Sequence, residues 1–171
     1  SGDKTGQNYK IGVLQLVQHP ALDKANEGFI AALDEAGISY TADQQNAGGE
    51  LSSAQLIAEK FANDKEDLIF AIATPAAQAA SGVTEDIPIV ITAVTDPKES
   101  GLVESNETPG GNVTGTSDLT PVKEQIDLLK ELVPDAKKIG VLYSTAEANS
   151  VIQVELAKEA AKALDMEVVE Y

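Results

Sequence analysis

The sequence predicts an α/β fold in which a parallel sheet is built from strands joined by helical crossovers. Three observations carry this reading. Short apolar runs rich in isoleucine and valine alternate with amphipathic helical stretches along the whole chain. The first run, residues 11–17, lacks apolar–polar alternation, the mark of a strand buried on both faces. Prolines and glycines fall at the junctions between these stretches rather than inside them.

Taken in order, residues 11–17 form the first strand and residues 19–36 a helix, with Pro20 in its first turn and Gly37 as its stop. Residues 38–45 are a second, partly polar strand. Residues 51–63 are helical, since Leu51, Ala54, Ile57, Ala58 and Phe61 recur on one face. Residues 67–73 form a third buried strand and 75–81 a short helix. The fourth strand, 87–91, carries Pro88 near its start, where a missing amide does least harm. A loop over 98–111 leads to a short fifth strand, 112–117. A helix over 121–132, a strand over 138–143, a helix over 146–164 and a strand over 166–170 complete the chain. Such alternation implies right-handed crossovers.

The bulk composition narrows the function. With 28 acidic and 12 basic residues the net charge is −16, which argues against nucleic acid and anionic lipid as partners. There is no cysteine, so thiol chemistry and disulfides are excluded. No apolar run approaches the roughly 18 residues of a membrane span. The opening residues, 1–8, are polar and read as a flexible tether.

Motifs for catalysis are missing. The run Gly110-Gly111-Asn112-Val113-Thr114-Gly115 lacks the lysine of a P-loop and precedes a strand, and there is no G-x-S-x-G elbow. The single histidine, His19, cannot make a multi-histidine metal site, and its place before Pro20 suits helix entry or ligand contact better than catalysis. The chain is therefore read as a non-enzyme, with no cofactor and no metal.

In open parallel sheets, ligands bind outside the carboxyl ends of the strands. Thr74-Pro75-Ala76-Ala77-Gln78 follows the third strand, with Thr74 read as the helix N-cap and Pro75 as the first helical residue. Amides at such a helix start favour a carboxylate or phosphate, although plain capping accounts for the same residues. Thr95-Asp96, after the fourth strand, offers a hydroxyl and a carboxylate, or else an Asx cap before Pro97. Ser117-Asp118 ends the fifth strand, where Asp118 suits an ammonium group or the cap of the next helix. Asn149 and Ser150 open another helix as ligand groups or caps.

At these residues the sequence resembles a family of ABC-transporter substrate-binding proteins linked to tryptophan and other aromatic amino acids. The resemblance runs through Ile11-Gly12-Val13-Leu14-Gln15, His19-Pro20-Ala21-Leu22-Asp23, Ala71 to Gln78, Thr92 to Pro97, Asn112 to Asp118, Lys138 to Tyr143 and Glu147 to Ser150. It covers nearly the whole chain from Tyr9. It implies a type I periplasmic-binding-protein fold, two flavodoxin-like, doubly wound lobes that close on a ligand. It implies that Thr74 to Gln78 and Thr95-Asp96 hold the carboxylate end of an amino acid. Asp118, Asn149 and Ser150 would then meet the ammonium end or opposing face, and Gln15 and His19 the side chain.

Family members are nearly twice as long, so residues 9–117 are expected to be the first lobe and 118–171 the beginning of a second, incomplete one. The open sheet edge of a half-built lobe invites pairing between chains. The expected setting is extracytoplasmic, as a cell-surface lipoprotein or periplasmic protein working with ABC permease subunits. Two alternatives share the fold: the sensor domain of a transcriptional regulator, which needs a basic helix-turn-helix before Tyr9, and a flavodoxin-like enzyme, which needs a nucleotide fingerprint.

Overall fold

The computed structural model describes residues 7–171 and divides into two compact units, the first ending at Asp118 and the second spanning Leu119–Tyr171. The sequence reading sets its division after residue 117. Residues 1–6 of the expected tether lie outside the described residues. Asn8 is anchored, with its amide donating to Thr41 Oγ1 at 2.9 Å and accepting from Ser39 Oγ at 3.1 Å.

The first unit holds β1 (Tyr9–Gln15), α1 (Pro20–Glu35), β2 (Tyr40–Asn46), α2 (Leu51–Asn63), β3 (Leu68–Ile72), α3 (Thr74–Ser81), β4 (Ile89–Val94) and β5 (Val113–Ser117). Its five strands pair in parallel in the order β2-β1-β3-β4-β5, with Ile11 opposite both Ala42 and Leu68. Alternation along β1 sends Leu14 to a core beneath α2 and α3, and Ile11 and Val13 to a core beneath α1. Fully buried Phe61 of α2 lies over Gly12, where any Cβ would meet the ring at 2.6 Å. On the other face Phe29 of α1 stacks on Phe70 of β3, ring centres 4.0 Å apart.

Helix boundaries differ from the sequence reading where capping decides them. Helix α1 starts at Pro20 because His19 is its N-cap, with Nδ1 accepting from the Ala21 amide at 3.2 Å. Strand β4 starts later than expected and runs on to Val94, the Pro88 carbonyl accepting from the Ile69 amide at 2.9 Å on the way in. Gly115 is required in β5, because a Cβ there would sit 2.0 Å from the Ile91 carbonyl oxygen, beside the register shift between Ile91 and Val94.

The second unit holds α4 (Val122–Leu132), β6 (Lys138–Val141), α5 (Ala148–Ala163) and β7 (Glu167–Glu170). Strands β6 and β7 pair in parallel, and α4 and α5 bury Val122, Ile126, Ala161 and Met166. No helix among the described residues is long and apolar enough to cross a membrane.

Candidate functional site

The strand order of the first unit reverses direction between β1 and β3. The crossover through α1 leads outward to β2, and the crossover through α3 leads the other way to β4. The carboxyl ends of β1 and β3 therefore border the switch point at which ligands of such sheets bind. They are stitched together by the Leu16 amide donating to the Ile72 carbonyl at 3.2 Å.

Strand β3 ends in a strained residue. Ala73 lies at φ +88° and ψ +153°, a region essentially reserved for glycine and costing on the order of 1–3 kcal/mol. It is Ala73, not Thr74, that caps α3, and it makes no side-chain cap bond. Thr74 is the first helical residue and Pro75 the second, one step along from the sequence expectation, because the turn takes place at the strained alanine. The Thr74 hydroxyl is released from capping. It is 2% exposed and its Oγ1 has no hydrogen-bond partner among the described residues.

Pro75, Ala76 and Ala77 are buried as well, because Ala76, Ala77 and Ala80 pack into the core below. Pro75 has no amide, and the Ala77 amide returns to the Ala73 carbonyl at 3.0 Å. That leaves the amides of Thr74 and Ala76 at the helix head. Gln78 is turned to structure, its Nε2 donating to the Ser100 carbonyl at 3.0 Å.

At the end of β4, Ala93 also has positive φ, +54°. Thr95 beyond it is 6% exposed, and its carbonyl accepts from Ser117 Oγ at 2.6 Å. Asp96 takes the Asx-cap geometry. Its Oδ1 accepts from the amides of Lys98 and Glu99 and from Asn106 Nδ2, at 3.1, 3.2 and 3.1 Å. Asp118 is exposed, and its amide donates to the Val94 carbonyl at 3.1 Å.

Gln15 at the end of β1 is 4% exposed and donates from Nε2 to the Val17 carbonyl at 2.9 Å and to Asp23 Oδ1 at 2.7 Å, locking the turn into α1. His19 stands exposed at the start of α1.

In the second unit, α5 is capped by Glu147 and not by Asn149 or Ser150. The Ser150 amide donates to the Glu147 carbonyl at 3.1 Å, and Asn149 Oδ1 is buried with no partner among the described residues.

The first unit therefore brings Gln15, His19, Thr74–Gln78, Thr95, Asp96, Ser117 and Asp118 to the carboxyl edge of its sheet. Asn149 and Ser150 stand at the corresponding end of the second unit's β6–α5 turn. Sequence reasoning missed a polar cavity of about 210 Å3 beside β1, bordered by Gln15, Asp23, Asn26, Gln44 and Asn46, in which Asn26 Oδ1 is buried with no partner among the described residues. A signal for it existed. Asp23 and Asn26 interrupt the apolar face of α1 that Leu22, Ala25, Phe29 and Leu33 define.

By fold, the chain is a type I periplasmic binding protein. It matches a tryptophan complex of an ABC domain from Streptococcus pneumoniae with TM-score 0.91 and 40% identity, over 96% of this chain and 57% of that one. It matches a ligand-free, open substrate-binding protein with adhesive properties from Clostridium difficile with TM-score 0.73 and 51% identity, over 95% and 57% of the two chains. A tyrosine-binding protein of Clostridioides difficile strain R20291 is 54% identical over 164 residues, which is 94% of this chain and 48% of that protein. Residues 10–171 match the family model described as ABC transporter substrate binding protein, and the chain belongs to that family. It spans about half the length of the curated relative it matches.

Proposed function

We propose that the protein captures an aromatic L-amino acid outside the cytoplasm, by closure of two lobes, and delivers it to the permease of an ABC importer. The observation that carries the site is the Thr74 hydroxyl, buried without a hydrogen-bond partner among the described residues, beside the strained Ala73 at the switch point. A buried unpaired polar group costs about 1–3 kcal/mol, and a fold keeps it where a ligand supplies the missing bond. Together with the Thr74 and Ala76 amides at the positive end of α3, it suits a carboxylate.

In this reading Thr74 and the first turn of α3, through Pro75, Ala76, Ala77 and Gln78, hold the ligand carboxylate, with Thr95 beside it. Asp96 and Ser117 fix the neighbouring turns. Asp118 receives the ammonium group, Asn149 and Ser150 close from the second lobe, and Gln15 and His19 border the side chain. The aromatic preference is supported by the tyrosine-binding relative and by the tryptophan bound to the streptococcal protein. Family membership supports solute capture over catalysis or transcriptional sensing.

The test is calorimetric titration of the protein in its full natural length with the twenty amino acids, a sugar and a nucleoside. Saturable heat with tryptophan, tyrosine or phenylalanine is expected. Binding of the sugar or nucleoside with none of the aromatic amino acids overturns the ligand assignment.

A further inference from the structure

At the C-terminal end of α2, away from the switch point, Asp43, Asp64 and Glu66 bring one carboxylate oxygen each within 4.8 Å of one another. Asp43 comes from β2, Asp64 is the C-cap of α2, and Glu66 enters the turn toward β3. Their mutual repulsion is only partly answered. Lys60 Nζ pairs with Asp43 and, at 2.9 Å, with Asp64, while Lys10 Nζ is committed to the Asp64 carbonyl at 2.5 Å. The Glu66 side chain makes no hydrogen bond and no ion pair among the described residues, yet the residue is only 7% exposed. Burial is the largest influence on its carboxyl and pushes its pKa up.

The backbone makes that burial more telling. Lys65 sits at φ +51°, its amide donating to Ala62 and the Glu66 amide to Phe61, which closes α2 in a Schellman motif. The residue in the place of Glu66 in that motif is ordinarily apolar and packs back on the helix. Here a carboxylate fills it and points at two others. A helix C-terminus disfavours anions and favours cations, and here the two ammonium groups of Lys60 and Lys10 stand against three carboxylates.

We propose that Asp43, Asp64 and Glu66 form a site for a hard divalent cation, Ca2+ in preference to Mg2+, which enters by displacing the Lys60 ammonium. Oxygen-only donors from three carboxylates select hard ions, and Ca2+ tolerates irregular geometry that Mg2+ does not. Lys60 is the gate: its side chain is about half exposed, and it holds two of the carboxylates until the ion competes. Glu66 is the ligand that forms no ion pair among the described residues, although the Lys10 and Lys60 charges act on it from farther away.

The experiment titrates CaCl2 or MgCl2 by calorimetry into protein first stripped with a chelator and then dialysed free of it. Single-site Ca2+ binding is expected at about 0.1–1 mM, the range of extracellular calcium modules. The variant Lys60→Met binds Ca2+ at least about threefold more tightly, because a competing charge is gone. The variant Glu66→Gln binds at least about tenfold more weakly. Glu35→Gln, which removes the same charge from the exposed face of α1, leaves binding unchanged and separates a site from diffuse attraction to an acidic protein. Absence of saturable Ca2+ heat in both wild type and Lys60→Met overturns the proposal, as does a Glu66→Gln variant that binds like Glu35→Gln. Tighter Mg2+ than Ca2+ binding overturns the choice of ion.

Discussion

Replacing Thr74 by valine separates what this residue does for the fold from what it does for the ligand. Valine keeps the shape of threonine and exchanges the hydroxyl for a methyl group. Thr74 is 2% exposed and its Oγ1 has no partner among the described residues, so the exchange removes a buried unpaired dipole and leaves the packing intact. The penalty for such a group is about 1–3 kcal/mol, and Thr74→Val is expected to stabilise the first unit by about 2 kcal/mol. With a urea slope of about 2 kcal/mol/M, the unfolding midpoint rises by about 1 M. Affinity moves the other way. A hydrogen bond to a charged carboxylate is worth about 1.5–3 kcal/mol, so the dissociation constant for the aromatic amino acid rises about ten- to a hundredfold. Urea unfolding followed by circular dichroism and calorimetric titration with L-tryptophan and L-tyrosine read the two effects on the same samples. A variant less stable than wild type shows that the fold already uses the hydroxyl. A variant that binds as tightly as wild type removes Thr74 from the site.

Two further predictions bear on the scaffold. Gly115→Ala places a Cβ 2.0 Å from a backbone oxygen of β4, which cannot move aside as a side chain would, and is expected to cost more than about 3 kcal/mol in chemical unfolding. A loss below about 1 kcal/mol would mean that β5 re-registers without penalty. Glu66 gives a pH signature, measured in chelator. Its folded-state pKa is raised above the ordinary 4.5 by burial, so its contribution to stability is fully present below the unfolded value and lost as pH rises through the folded one. Glu66→Gln removes that loss. Its advantage over wild type is expected to vanish in acid and grow as pH rises past 4.5, and parallel profiles from acid to neutral pH would refute the assignment.

Much of the first unit was legible because its strands are short apolar runs and its helices carry one clear apolar face. Helix α2 was readable to the residue, since Leu51 opens and Asn63 closes the pattern. The candidate site was less so. The sequence marks Thr74-Pro75 as a helix start but gives the cap to threonine, when the chain turns at Ala73. No sequence signal announces an alanine at φ +88°, since that conformation is imposed by packing on both sides of the turn. Asp96 shows the same division. Its position before proline suggests an Asx cap, and its bond to Asn106, ten residues on, depends on how the following loop folds back.

Local chemistry determined the order of elements, the parallel sheet and the strand ends at which polar residues collect, because periodicity and punctuation act over a few residues. Tertiary structure alone decided which polar groups find partners. Among the described residues Asp96 and Gln15 are satisfied, the Thr74 hydroxyl and Asn26 Oδ1 are buried without a hydrogen bond, and the carboxylate of the mostly buried Glu66 makes no ion pair. Such an account depends on atoms brought together from distant parts of the chain. The groups left over are the ones to which this protein's candidate sites are traced.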